Sequence, residues 1–363
     1  MLKSFRFILF PFSVIYSLII RLRNFMYDKK MARSAAFNFP LICVGNLAVG
    51  GTGKTPMTEY LIRMLQQRYK IATLSRGYKR KTKGFAIADK STTAIHIGDE
   101  PMQIHTKFPD ITVAVCEERI VGIPQLLHQR PDTQVILLDD AFQHRPVSAG
   151  LNILLTDYND LYTRDFMLPA GNLRDSRRSA RRADIIIVTK CKPSLNEEER
   201  QLVISELHPL KRQKVFFTKI QYSTPYHLFT KENKSIAPKC HVLLVCAIAK
   251  PAPLKEVLNN LAATYEMLLY RDHHIFSTDD LKEIIHQFSK IRSNDKMIIT
   301  TEKDAVRLSK YENELKDLPV YALPMRHEFM FGEENIFKNE ITGFIEGYAE
   351  PRDSGTASSP HAG

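Results

Sequence analysis

Residues 48–55 read Ala-Val-Gly-Gly-Thr-Gly-Lys-Thr and lie between a short apolar run, Leu41–Val44, and a segment with helical periodicity near Pro56–Gln67. A strand, a glycine-rich turn and a helix in that order admit few folds. The loop matches the Walker A pattern, with Ala48 in place of its first glycine. Gly50, Gly51 and Gly53 can take backbone angles closed to other residues, so their amides can close around phosphate oxygens. Lys54 then reaches the outer phosphates, and the Thr55 hydroxyl stands at the helix N-terminus to ligate magnesium. The stretch Ala48, Val49, Gly50, Gly51, Thr52, Gly53, Lys54 and Thr55 is therefore expected to bind ATP with Mg2+.

A Walker B carboxylate has to follow on a buried strand. Val135-Ile136-Leu137-Leu138-Asp139-Asp140 supplies four apolar residues and then two acids, at the strand end where open α/β sheets bind ligands. Asp139 is read as the magnesium-organising residue and Asp140 as its neighbour in the reacting site; a pair of helix-capping aspartates is the plainer alternative. Further apolar runs at Ile71–Ser75, Thr112–Cys116, Leu151–Thr156 and Ile185–Thr189 alternate with helical segments, which predicts a parallel sheet covered on both faces. The rhythm lapses over Tyr222–Lys239 and resumes as a second βα series from His241 to Lys310. The expected fold class is thus a P-loop NTPase-like α/β sheet with helices on both faces, a smaller second α/β domain and an N-terminal membrane-interface helix. The expected boundaries are 1–30 for that helix, 31–221 for the P-loop core, 222–240 for a linker, 241–349 for the second domain and 350–363 for a disordered Ser-, Pro- and Gly-rich tail.

The N-terminal helix is read from its pattern. Phe7–Ile20 is nearly all apolar between Lys3 and Arg6 on one side and Arg21 and Arg23 on the other. It is shorter than the roughly 20 residues that span a bilayer, and no cleavage site follows at the distance a secretory signal needs. With Pro11 in the first turn, Ser13, Ser17, Arg21, Asn24 and Asp28 form one narrow polar stripe, and the rest is apolar. That suits a helix lying in a membrane interface; a helix docked on the protein's own core is the alternative. The formal charge of +11 points to an anionic partner, yet no nucleic-acid module is present. Five cysteines without a CxxC pair fit buried thiols in a reduced compartment, not a disulfide framework or a zinc site.

In this wider context the motifs resemble the tetraacyldisaccharide 4'-kinase family, which phosphorylates the lipid A precursor. The likeness rests on VGNLAVGGTGKTP (44–56), LSRGY (74–78), GDEP (98–101), LLDDAFQH (137–144), LPAGNLRDS (168–176), DHH (272–274) and TEKDAVRL (301–308). It implies a lipid-linked disaccharide as substrate, the cytoplasmic face of the bacterial inner membrane as location, and no obligate protein partner. It also implies that Asp99 prepares the sugar hydroxyl together with a histidine mapped to His273, with His274 adjacent to it. Read alone, Asp99 in Gly-Asp-Glu-Pro is equally good turn chemistry. Glu100 and Asp175 are candidate magnesium carboxylates, and Arg119, Gln143, His144 and Arg174 align with substrate-side positions. Two departures stand out: CAIAKP (246–251) carries Ala247 and Ala249 where the family favours glycine, and Asp175 stands where it often has Glu. A P-loop switch or carrier ATPase would share the loop without needing the N-terminal helix or the Asp99–His273 pair. A nucleic-acid-stimulated ATPase, prompted by the charge, is the third reading.

Overall fold

The computed structural model describes residues 6–248, 251–272 and 274–348. His273, Ala249 and the tail 350–363 lie outside them. Strands buried on both faces have to sit in the middle of a parallel sheet, and the apolar runs do so. In chain order they are β1 (Leu41–Asn46), β2 (Ile71–Ser75), β3 (Thr112–Val115), β4 (Val135–Asp139), β5 (Leu151–Asp157), β6 (Ile185–Thr189) and β7 (Lys214–Tyr222). Their spatial order, β7-β6-β5-β1-β4-β2-β3, is parallel throughout. β1 lies between β4 and β5, so the turn that leaves it opens at the point where the strand order reverses, the usual ligand crevice of such sheets. The expected strands agree to within one or two residues.

One face of this sheet packs on α2 (Lys54–Leu65) and α3 (Asp99–Lys107), through residues such as Leu61, Ile62 and Ile104. The other packs on α4 (Arg119–Gln129) and α5 (Glu197–Leu207), through Ile123, Leu126, Val203 and Leu207. A second sheet holds β8 (His241–Cys246), β9 (Thr264–Leu269), β10 (Lys296–Thr301) and β11 (Val320–Leu323), in the order β11-β10-β8-β9 and all parallel. Its helices are α6 (Ala252–Leu261), α7 (Thr278–Lys290) and α8 (Glu302–Leu308).

Two expected boundaries are corrected here. Tyr222 ends β7, Tyr226–His227 pairs antiparallel with β11, and Leu228 and Ile236 are buried, so the stretch 222–240 is not a free linker. The chain also does not stay there to 349. β12 (Met325–Phe329) pairs antiparallel with β7 at the edge of the first sheet, and α9 (Glu334–Glu346) buries Phe337, Ile341 and Ile345 in the core beneath α2. The chain therefore leaves the first sheet through β7 and returns beside it through β12.

α1 (Phe10–Asp28) has Pro in its first turn, as read from the sequence, but its faces are disposed unexpectedly. Part of the polar stripe turns inward, while Arg21 and Asp28 stay exposed. Ser13 and Asn24 are buried, and the Ser13 hydroxyl accepts from the Ala170 amide at 2.8 Å. The Tyr16 hydroxyl donates to the Arg174 carbonyl at 3.1 Å, and Asn24 donates to Asp175 at 2.7 Å. The outer face carries Phe12, Ile15, Leu18, Ile19 and Leu22, each more than half exposed. No helix among the described residues is long and apolar enough to cross a membrane. All five cysteines are buried and unpaired, as expected.

Candidate active site

The P-loop is braced before any ligand arrives. Gly50 and Gly53 have φ of +115° and +88°, values that strain any residue with a Cβ, and no atom lies within 4 Å of where a Cβ on Gly50 or Gly51 would stand. The front of the loop is therefore open. Asn46, the last residue of β1, donates to the Thr52 hydroxyl at 2.9 Å and accepts from Lys54 at 3.3 Å. The Thr189 hydroxyl donates to the Thr52 carbonyl at 2.9 Å, and Lys190 donates to the Gly51 carbonyl while pairing with Asp157 at 2.8 Å. At the head of α2, His327 Nε2 bonds the Gly53 carbonyl at 2.9 Å, which fixes Nε2 as the protonated nitrogen and leaves Nδ1 to accept from Thr218.

The two acids at the end of β4 differ in surroundings. Burial and the neighbouring Asp140 push the Asp139 carboxyl up to about 6, against Lys54; Thr58 donates to it at 3.2 Å. Burial also acts on Asp140, but Lys54 at 3.6 Å and a two-pronged contact from Arg174 (2.7 and 3.1 Å) hold its carboxyl well below the usual range. Arg174 is thus committed to Asp140 and to Asn46 Oδ1. Arg119 is buried and bonds only the carbonyls of Glu117 and Asp139. Its Nε, the Nε of Arg174 and Nε2 of His144 are buried with no hydrogen-bond partner among the described residues. Arg119, Arg174 and His144 line the same cavity as the glycine loop, and guanidinium groups match phosphate oxygens.

The donor set also fits magnesium. Asp139 is a buried carboxylate whose pKa is raised by a like charge next to it, which is the environment a cation relieves. No cluster of three or more His, Cys, Asp or Glu side chains sized for a metal occurs among the described residues. Thr55, Asp139, water and phosphate oxygens would therefore share the ion, the usual arrangement for Mg2+.

One sequence expectation changes. Asp175, a candidate magnesium carboxylate, is fully buried and accepts from Asn24, Ser176, Ser179 and Arg182, all between 2.7 and 2.8 Å. Its oxygens are occupied in seating α1, so it is not a metal ligand. Gln143 donates to the Asn46 carbonyl and lines the same cavity as the loop. His274 bonds Asp280 at 2.9 Å in the N-cap of α7 and stacks on Tyr270. Glu100 sits near enough to raise the pKa of Asp139, with its carboxylate paired to Lys303 at 2.9 Å. Asp99, in the first turn of α3, accepts from Arg307 at 2.6 Å. Arg307, Lys303, Asn46, Lys190 and His327 were not singled out from the sequence; Asn46 lies inside VGNLAVGG and Lys303 and Arg307 inside TEKDAVRL, whereas Lys190 and His327 carried no local signal.

A single cavity of about 1970 Å³ runs along the P-loop, Asp139, Asp140, Glu100 and Lys303, and reaches Tyr16 and Ile20 of α1.

A family model described as tetraacyldisaccharide-1-P 4'-kinase matches residues 5–346. A protein named tetraacyldisaccharide 4'-kinase from Flavobacterium johnsoniae is 48% identical, the alignment covering 95% of this chain and 98% of that one. One of the same name from Parabacteroides distasonis is 44% identical over 94% and 95%. Among solved structures, the apo form of LpxK from Aquifex aeolicus in complex with ATP superposes with a TM-score of 0.73 at 29% identity, covering 95% of this chain and all of that one. An open glycine loop over paired acids, in a chain matched almost end to end, leaves one assignment: the chain belongs to the tetraacyldisaccharide 4'-kinase family.

Proposed function

We infer that this chain transfers the γ-phosphate of ATP to the 4'-hydroxyl of a tetraacyldisaccharide 1-phosphate, a step of lipid A biosynthesis. The observation that carries the reading is the one cavity that joins the P-loop and its acids to the side of the apolar helix α1. A hydrolysing switch has no use for that connection; a kinase whose acceptor is held in lipid does.

ATP with Mg2+ supplies the phosphoryl group and the charge that offsets its oxygens. The chain does the positioning. Backbone amides of residues 50–55 face the phosphates, and Lys54, already oriented by Asn46 and Asp140, offsets negative charge that grows during transfer. Thr55 and Asp139 are the proposed magnesium ligands. Arg119 and His144, which line the cavity together with the P-loop, are the proposed contacts to substrate. Asp99 is proposed to take the proton of the attacking hydroxyl, with His273 as its partner; the Asp280 contact holding His274 favours His273 for that part.

The exposed apolar face of α1 supports a seat on the cytoplasmic face of the inner membrane. With the helix bonded to the core through Ser13 and Asn24, its outer side chains are free to enter the acyl boundary.

The test is transfer of labelled γ-phosphate from ATP to purified disaccharide 1-phosphate in detergent. Labelled product from the wild type and none from Lys54→Ala is the expected result. ATP turnover at one rate with and without the disaccharide, and no labelled lipid, would overturn the kinase reading in favour of a switch ATPase.

A further inference from the structure

The stretch TEKDAVRL (301–308) has no assigned part in the chemistry, yet all of it but Thr301 forms α8, and α8 packs against α3 across the join between the two sheets. Three opposite-charge pairs connect them. Arg307 meets Asp99 at 2.6 and 3.1 Å, Lys303 meets Glu100 at 2.9 Å, and Glu302 meets Lys107 at 2.5 Å. Lys107 is itself fixed from the first sheet by Glu59 at 2.6 Å, and Glu59 is held by Gln103.

We propose that α8 is a clamp across the two lobes and that its Arg307 is a positioning residue for Asp99. The proposal rests on Asp99 acting at the acceptor hydroxyl. Arg307 is only 6% exposed and cannot swing freely. Its Nη1 is held by Asp304 at 2.9 Å, and Asp304 is held in turn by the Ala247 amide at 2.9 Å and the Thr301 hydroxyl at 2.7 Å. A rigid chain of bonds therefore runs from the loop after β8 to the Asp99 carboxylate. On the other side, Asp99 stands directly after Gly98, whose φ of +95° lets the backbone pass the Tyr78 carbonyl; a Cβ there would come within 2.9 Å of it. With its backbone turned by Gly98 and one oxygen bonded by Arg307, the Asp99 carboxylate has little freedom. A proton acceptor needs that restriction, because a misplacement of about 1 Å can cost 100-fold in rate. Guanidinium also suits the task better than ammonium, since its two nitrogens grip the carboxylate from a fixed plane.

The experiment compares kcat and KM for both substrates in wild type, Arg307→Ala, Arg307→Lys, Arg307→Gln, Asp99→Asn and the double variant Arg307→Ala with Asp99→Asn, each checked by thermal melting. Arg307→Ala is expected to lower kcat about 100-fold with KM for ATP within about twofold, Arg307→Lys to recover part of the loss, and the double variant to be no slower than Asp99→Asn alone. If Arg307→Ala does not fold, Gln and Lys decide. Gln can still bond Asp304 but lacks the charge, so Lys faster than Gln supports the clamp, and equal rates overturn it. Arg307→Ala within about threefold of wild type, or losses that simply multiply in the double variant, also overturn it. An Asp99→Asn enzyme near wild-type rate instead removes the reading of Asp99 on which the clamp rests.

Discussion

At the scale of single residues, two neutral histidines make the fold sensitive to acid. Burial pushes His327 down to about 4, against the pull of its bond to Gly53, and burial with Arg119 and Arg23 pushes His144 to about the same value. In the unfolded chain both titrate near 6.5. Between about pH 6.5 and 4 the unfolded state therefore binds more protons, so stability falls as pH falls through that window and levels off below it. The limiting slope is roughly 1.4 kcal/mol per pH unit for each histidine. Denaturant midpoints measured from pH 7 to pH 4 should decline, and His327→Gln should flatten the decline; an equally steep profile in that variant would exclude His327 as a source. A second expectation concerns Asp175. Asp175→Ala should cost several kcal/mol by leaving Arg182 and Asn24 without their acceptor, while the magnesium dependence of turnover stays as in wild type. The residues of 48–55 could be read from the sequence because a phosphate loop is local. Asp175 could not. Its neighbours Asn24 and Arg182 come from either side of the chain, and a carboxylate beside an arginine reads the same whether it holds metal or a helix.

At the scale of elements, α1 separates what periodicity can and cannot tell. The stripe Ser13, Ser17, Arg21, Asn24 and Asp28 was legible as a stripe, but spacing along a helix gives a face and not the direction it points. Only the partners at Ala170 and Asp175 decide that Ser13 and Asn24 of that stripe face the protein. It follows that removing the whole helix is a poor test of membrane binding, since it would also strip Asp175 of its donor. Phe12→Glu combined with Leu18→Glu alters only the outer face. This pair should release the protein from anionic vesicles in a sedimentation assay while leaving ATP affinity within about twofold, because about 25 cal/mol per Å² of apolar burial is lost from the membrane contact alone. Unchanged sedimentation would move the seat elsewhere. The strands were legible for the opposite reason: β1, β4 and β6 are buried on both sides, so their runs are continuous and no direction needs choosing.

At the scale of the whole molecule, the sequence predicted two βα series but not the crossing back between them. Met325–Phe329 reads as a strand wherever it is, and nothing in Met-Arg-His-Glu-Phe says which sheet edge will accept it. The pairing with β7 decides, and it brings His327 under the P-loop. This has a consequence for the order of events during synthesis. A ribosome delivers the glycine loop, both acids of β4 and Arg174 early, and the strand that supports Gly53 nearly last. Domains made first generally fold first, but here the earliest motif waits on one of the latest segments. Nascent chains stalled before Met325 should gain little protease resistance from ATP, whereas chains extended past Glu346 should gain it fully. The tunnel exit, not the availability of nucleotide, then sets when this loop becomes competent.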